Sequence, residues 1–434
     1  MKRRIKRKTS TNLPHIPETS PDTPQHVPHI PEFKYIPPEV WSQIFATLPA
    51  KTLVRFRCIC KSWCSIIDHP TFVSMHLQIF KINSSKDKLL LALEALRGED
   101  KGCMVTVREG CLVTVCEAET LRNTGRIFRK SDSYSYHMIG GCNGLFLVNR
   151  KNIPRRHTHG KTGHRFHQEE LRLWNPCIRK SLVLPTRPCS PLLKDSVYLL
   201  GFDAVSKDYK VVAIAIDYCQ PEETTKTDVA VYRLSNQQWT VKDDYLNISY
   251  PYRIGRLGPF HSLSISVFFR GSAYWLGQID KNRIDLTHLG CFDFDSEKIT
   301  FSKLPFTWDE SGSLRFLFLL GESLAVFSIS LETSSIWVLQ QDKEKFGPWI
   351  LWFSGKSNSA GYKTFEGIDS SKEKIFYCES DGGYFVLGKQ AYNIASCEVQ
   401  KFKRAFRPYI ELETYSESLA LSKEYGSRDL RSFP

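Results

Sequence analysis

The chain has 434 residues, 41 % of them apolar and 24 % charged, with a formal net charge of +13. That length allows two or three domains and a sizeable core, and no apolar run approaches the roughly 18 residues of a membrane-spanning helix, so no membrane partner is expected. Six positive charges fall in the first eight residues and a net four in residues 150–170, which leaves the rest near neutral and makes a folded nucleic-acid groove unlikely as a class.

Residues 1–34 join the basic run MKRRIKRK to a polar, proline-rich tract in which PHIPE occurs twice, at Pro14–Glu18 and Pro28–Glu32. This is the composition of a disordered spacer. The basic run fits a nuclear import signal or a solvated tail. No apolar stretch of a secretory signal follows it, so the chain is expected inside the cell, in nucleus and/or cytoplasm. The thirteen cysteines, odd in number and scattered, are accordingly expected as free thiols.

Residues 35–80 are helical in pattern. Pro37 and Pro38 suit a first turn, and Val40, Trp41, Ile44, Phe45 and Leu48 recur at helical spacing. After Pro49 a second pattern runs from Lys51 through Leu53, Phe56, Cys60, Trp63 and Ile67 until Pro70. Two or three short helices are too few for a large core, so this unit needs a neighbour to cover its apolar surface. Cys58, Cys60 and Cys64 lie within it. On one continuous helix Cys58 and Cys60 point about 200° apart and cannot share an ion. No C-x-x-C occurs either, so neither metal nor redox cofactor is expected, and Cys60 and Cys64 read as packing residues beside Trp63.

Residues 81–425 are β in pattern: runs of Val, Ile, Leu, Phe and Tyr between short polar turns. Turns near residues 177, 236, 296, 342 and 390 recur every 45 to 60 residues, the period of a four-stranded propeller blade. With MVTVREGCLVTVCEA early and YIELETYSESLALS late to complete or close a ring, about six blades are expected. Residues 426–434 form a short tail. Trp174, Trp239, Trp275 and Trp337 fall in strand patterns and are expected in blade cores.

The stretch IPPEVWSQIFATLPAKTLVRFRCICKSWCSIIDHPTFVSMHL resembles an F-box. The family's opening Leu-Pro pair is matched by Ile36 and Pro37. Its first helix and second Leu-Pro pair are matched by Val40, Ile44, Phe45, Leu48 and Pro49. Its Leu-x-Arg-Phe-Arg-x-Val-x-Lys-x-Trp run is matched by Leu53, Arg55, Phe56, Arg57, Ile59, Lys61 and Trp63. Downstream, GGCNGLFLV, LRLWNPCIRKSLVLP, LLGFDAVSKDYKVVAIAI, VAVYRLSNQQW, VFFRGSAYWLG and LGCFDFDSEKITFSKLP follow in the order typical of the F-box-associated interaction domain. The whole resembles a plant-type F-box protein with that kelch-like domain: a small all-α three-helix F-box before a large all-β, propeller-like domain.

The resemblance implies a non-catalytic substrate receptor of a Skp–cullin–F-box ubiquitin ligase. The F-box would dock a Skp-type adaptor and, through it, a cullin and a RING protein, while the β domain holds an unknown protein target. It places adaptor binding at Ile36, Pro37, Val40, Ile44, Leu48, Pro49, Leu53, Ile59 and Trp63, with Phe56 and Trp63 also candidates for the unit's own core. Arg55, Arg57 and Lys61 read as a basic rim or a solvated face. Substrate residues are unassigned. The alternatives are an F-box protein in a non-degradative adaptor complex and a basic-tail, nucleic-acid-associated propeller scaffold. Enzyme signatures are weak: SGKS at 354–357 has Ile350 where a phosphate loop needs its first glycine. Asp293 and Asp295 alternate with apolar residues as on an exposed strand face. His157, His159, His164 and His167 sit in a cationic loop that suits metal poorly.

Overall fold

A computed structural model describes residues 36–83, 89–97, 108–117, 123–130, 134–152, 169–188, 195–216, 227–242, 266–277, 288–305, 314–320, 323–329, 333–340, 346–356, 362–368, 374–380, 389–393, 398–401 and 410–422. The basic and proline-rich start, the histidines of the 150–170 loop and the final tail lie outside the described residues.

Four helices come first: α1 Pro38–Ala46, α2 Ala50–Phe56, α3 Lys61–Ile67 and α4 Pro70–Asn83. Proline opens α1 and α4 and precedes α2, where a missing N–H costs nothing. Glu39 lies in the first turn of α1, where the helix dipole favours negative charge. The expected single helix from Lys51 to Ile67 is broken. Residues 57–59 form a turn, and Cys60 is extended (φ −153°, ψ 163°) as the residue preceding α3. The break has a packing cause. Phe56 and Trp63 stand about 10 Å apart on a continuous helix, yet their rings lie 5.3 Å apart and both meet Phe45, at 5.9 and 5.0 Å. Only a chain that doubles back brings them together. Pro70 likewise does not end the helical region but starts α4.

Among the described residues, twenty-four strands follow in six antiparallel four-stranded sheets. The first contains β1 Leu89–Arg97, β2 Arg108–Glu117 and β3 Asn123–Lys130. The second holds β4 Tyr134–Cys142, β5 Leu145–Asn152, β6 Glu169–Asn175 and β7 Lys180–Val183. Next come β8 Asp195–Asp203, β9 Asp208–Ile216, β10 Thr227–Arg233 and β11 Gln238–Lys242, then β12 Ser266–Phe269, β13 Ser272–Gly277, β14 His288–Asp293 and β15 Lys298–Lys303. The fifth comprises β16 Leu314–Leu320, β17 Ser323–Ile329, β18 Thr333–Leu339 and β19 Trp349–Lys356; the sixth, β20 Tyr362–Ile368, β21 Lys374–Ser380, β22 Lys389–Asn393 and β23 Glu398–Lys401. The last strand, β24 Ile410–Tyr415, returns to the first sheet and pairs with β1 from Leu89↔Tyr415 to Glu94↔Ile410. The leading strands β24, β4, β8, β12, β16 and β20 each pack beside the next, and β20 packs beside β24. This is a closed six-bladed propeller whose ring the end of the chain completes. The turn expected near residue 390 is displaced: that position lies inside β22.

The blade hairpins repeat one device. Asn175 Oδ1 accepts the amides of Cys177 and Ile178, Asp203 Oδ1 those of Val205 and Ser206, and Asp293 Oδ1 that of Ser296. Arg179, Lys207, Gln237 and Glu297 then take the left-handed conformation, φ 51–57°, that returns the chain. Asp293 therefore closes a turn and Asp295 lies within it, rather than both lining a strand face. These hairpins gather at one end of the ring, and the helices sit at that end too. At the opposite end lie the strand ends Ile216, Thr227, Gly277 and His288.

Candidate functional site

The helical unit packs around one aromatic cluster. Trp63 meets Trp41 at 4.8 Å, and Phe45, Ala50, Leu53, Ile67 and Phe72 are buried around them. Positions on α1 four residues apart share a face, so turning Trp41 and Phe45 inward turns Val40 and Ile44 outward. The result is an exposed apolar stripe: Ile36 is 39 % exposed, Val40 41 %, Ile44 43 % and, on the α2–α3 turn, Ile59 59 %. Pro37 and Pro49 are exposed as well, and Leu48 is half-buried.

Two of the nine predicted contact residues face the other way. Leu53 is 0 % exposed, within the core that supports Phe45. Trp63 is half-buried in the aromatic cluster. They hold the stripe rather than line it. Arg57 is not part of a rim. Its Nε and Nη2 both lie 2.7 Å from the two carboxylate oxygens of Asp68, and its Nη1 donates to the Ser422 carbonyl. Arg55 and Lys61 are exposed. The cysteines change place with the helix break: Cys58 and Cys60 are exposed in the turn rather than opposed on a helix. Cys60 is exposed rather than buried in the core with Trp63. Its thiol is lowered by the Ser62 hydroxyl and the Trp63 amide, whereas burial and Asp68 raise that of Cys64.

The F-box profile matches residues 34–74, and that of the F-box associated β-propeller domain matches residues 109–420. The chain belongs to the F-box proteins with an associated β-propeller. An F-box/kelch-repeat protein of Arabidopsis thaliana is 26 % identical over 212 residues, covering 47 % of this chain and 50 % of its own. An F-box protein of the same plant is 24 % identical over 286 residues, 63 % of each chain. A putative F-box/kelch-repeat protein from it is 24 % identical over 328 residues, 73 % of this chain and 72 % of its own. The match thus spans half of the first relative and under two thirds of the second.

Behind the stripe of this F-box stands His76, fully buried on α4, with Nε2 2.9 Å from the Leu48 carbonyl. A carbonyl only accepts, so Nε2 carries the hydrogen. Nδ1 is buried with no hydrogen-bond partner among the described residues, and Phe80 stacks on the ring at 4.5 Å. Burial depresses the imidazole against the smaller opposing effect of the Leu48 carbonyl. The folded state thus binds this proton less readily than the unfolded state. The contribution to stability is complete above about pH 6.5, the ordinary histidine value, and is lost as pH falls below it. Unfolding of the F-box within the full chain, followed in urea by hydrogen exchange of residues 38–56, is expected to shift to lower urea between pH 7.5 and 5.5. His76→Gln, which keeps a donor and removes the titration, is expected to abolish most of that shift.

The propeller's tryptophans divide. Trp174 and Trp275 are buried blade core, while Trp239 and Trp337 are half-buried; Trp239 Nε1 donates to the Pro185 carbonyl. The exposed run Ile350, Leu351 and Trp352 on β19 escaped the sequence reading. β19 is the outermost strand of its blade, and a register shift opposite Ile336 and Trp337 leaves Trp352 between Leu351 and Phe353 without a counterpart on β18. The signal was available: PWILWF has no polar alternation, which half-buried strands show. The same strand carries Ser354, Gly355 and Lys356, so the SGKS stretch is extended strand up to Lys356 and not a phosphate-cradling turn before a helix.

Proposed function

We propose that this F-box protein is the substrate-recognition subunit of a Skp–cullin–F-box ubiquitin ligase. The exposed stripe Ile36, Val40, Ile44 and Ile59 on an otherwise well-packed helical unit carries this reading. It is an apolar surface left for a partner, and a helical Skp-type adaptor fits it. Pro37, Leu48 and Pro49 would border the contact. The chain contributes no catalytic group; it raises the effective concentration of target lysines near the charged ubiquitin thioester. The target is a protein bound by the propeller, and the end of the ring remote from the F-box supports that role. The F-box packs on Cys177 and Ile178 at the hairpin end of the second blade, so it sits away from that end.

Affinity purification of the full chain under proteasome inhibition tests this. The wild-type chain is expected to recover a Skp-type adaptor and a cullin. Leu48→Ala/Pro49→Ala is expected to lose both while retaining the propeller's targets, whose half-lives lengthen. Retention of adaptor by that variant, or its absence from the wild type, overturns the reading.

A further inference from the structure

Residues 416–422 follow the ring-closing strand β24 and run between the propeller and the F-box. Successive side chains enter different cores. Leu419 is buried among Phe45, Ala50, Leu53, Ile67 and Phe72 of the F-box. Ala420 and Leu421 are buried with Leu145, Leu147, Leu173 and Leu182 of the second blade. The backbone is held from both sides. Asn175 Nδ2 donates to the carbonyls of Ser418 (2.9 Å) and Ala420 (2.7 Å), and Lys180 Nζ to that of Ser422 (3.0 Å). On the F-box side, Arg57 Nη1 donates to the same Ser422 carbonyl. Glu417 Oε2 accepts the Ala50 amide at 2.8 Å. The residue preceding α2 is Pro49, which has no side-chain cap, so a carboxylate 367 residues away supplies it. Gly144, φ +74°, lets the β4–β5 turn approach: a Cβ there would stand 2.4 Å from the Ser416 carbonyl oxygen. The seam is dry. Burial, reinforced by the charge of Glu417, pushes the Cys177 thiol up to about 11.

From these contacts we infer that residues 416–422 are a positioning strap, which fixes the orientation of the F-box on the propeller and with it the path across which ubiquitin is delivered. The inference rests on the proposed receptor function for its last clause only. β24 pairs with β1, and β1 follows α4, so the strand that closes the ring also leads the strap to the F-box. A ring opened at β24 releases the strap; a strap stripped of its F-box contacts leaves the ring closed and the F-box more loosely held, on the β6–β7 turn whose Cys177 and Ile178 pack against its core. Glu417 and Leu419 are the residues that distinguish these cases, because they contact the F-box while Ala420 and Leu421 stay in the blade.

Three measurements on the full chain test the strap: hydrogen exchange of residues 50–57, small-angle scattering, and the distribution of modified lysines when the chain ubiquitinates itself in a reconstituted ligase. For Glu417→Ala/Leu419→Ala, exchange in the first turn of α2 is expected to rise about tenfold. The scattering profile should broaden towards longer interatomic distances, and modified lysines should spread over more of the propeller. Adaptor affinity should stay within about twofold, since the stripe is untouched. Leu419→Met, which conserves volume, is expected to match the wild type. If the double variant loses its β signal in circular dichroism, Leu419→Ala alone serves, with smaller shifts in the same directions. Wild-type exchange and scattering in a folded variant overturn the strap. A wild-type chain that binds no adaptor overturns the receptor reading instead, and the exchange and scattering arms still decide whether residues 416–422 hold the F-box.

Discussion

Val40→Asp/Ile44→Asp is expected to weaken adaptor capture by about a thousandfold while shifting the unfolding midpoint little. The two faces of α1 differ in exposure. Val40 and Ile44 are exposed, so carboxylates there are solvated in the free chain and cost only the modest helix propensity of aspartate. In a complex the same carboxylates are buried against apolar side chains with nothing to pair them. Two central apolar anchors at about 2 kcal/mol each give a loss of that size. Leu53→Ala is the control from the opposite face. Its side chain is fully buried beside Phe45, so truncation is expected to lower stability by about 2–5 kcal/mol through lost burial and a cavity. Whatever capture it loses should follow the unfolded fraction and return at lower temperature. Isothermal titration with a Skp-type adaptor, paired with thermal unfolding, separates the two. Wild-type affinity in the double aspartate variant would remove α1 from the docking surface.

The contrast between those faces also shows how far sequence reaches. The inward and outward positions of α1 are legible because Trp41 and Phe45 alternate with Val40 and Ile44 at helical spacing. The choice between Leu53 and Ile59 as contact residues is not legible. Both are apolar and both sit at family positions, and only the fold shows that one is buried and the other is at the tip of a turn. The break at residues 57–60 is silent for a similar reason. Leu53, Phe56, Cys60, Trp63 and Ile67 keep a helical period across it, and no proline or glycine marks it. It is dictated by distant partners. Arg57 and Asp68, about 16 Å apart on a continuous helix, meet only when the chain turns back. The blades repeat a local rule, Asx turn and left-handed return, so their number could be read from periodicity. The strap could not, because YSESLALS has the same composition whether it ends a strand or caps a helix on another domain.

Lys210→Met is expected to destabilise the propeller by about 3–5 kcal/mol, a larger loss than any surface charge could produce. Lys210 stands on β9 in the third blade and reaches into the fourth. Its ammonium has three hydrogens and three acceptors: Asp203 Oδ2, Glu297 Oε1 and the Phe294 carbonyl, each at 2.8 Å. Its side chain and that of Asp203 are 5 % exposed, and Glu297 is 9 % exposed. Arg233 and Lys242 also pair with Glu297. Methionine keeps the stem and removes the charge, leaving Asp203 buried without its cation and Glu297 with only its more exposed partners. The pH dependence identifies the interaction. Burial alone would raise Asp203, but the hydrogen bonds from Lys210, Ser206 and the Val205 and Ser206 amides prevail and hold its carboxyl at about 2. Its folded value lies below the unfolded value of about 4, so this stability is complete above pH 4 and is lost as pH falls towards 2. In Lys210→Met the carboxyl loses the cation that held it down, and the acid-induced loss over that window should shrink. Adding Asp203→Asn and Glu297→Gln should recover much of the loss at neutral pH, because the greater part of it is charge left unpaired rather than attraction forgone. Equal stability of Lys210→Met and the wild type at pH 7, measured by denaturant titration, would mean that the seam between these blades rests on its apolar contacts alone.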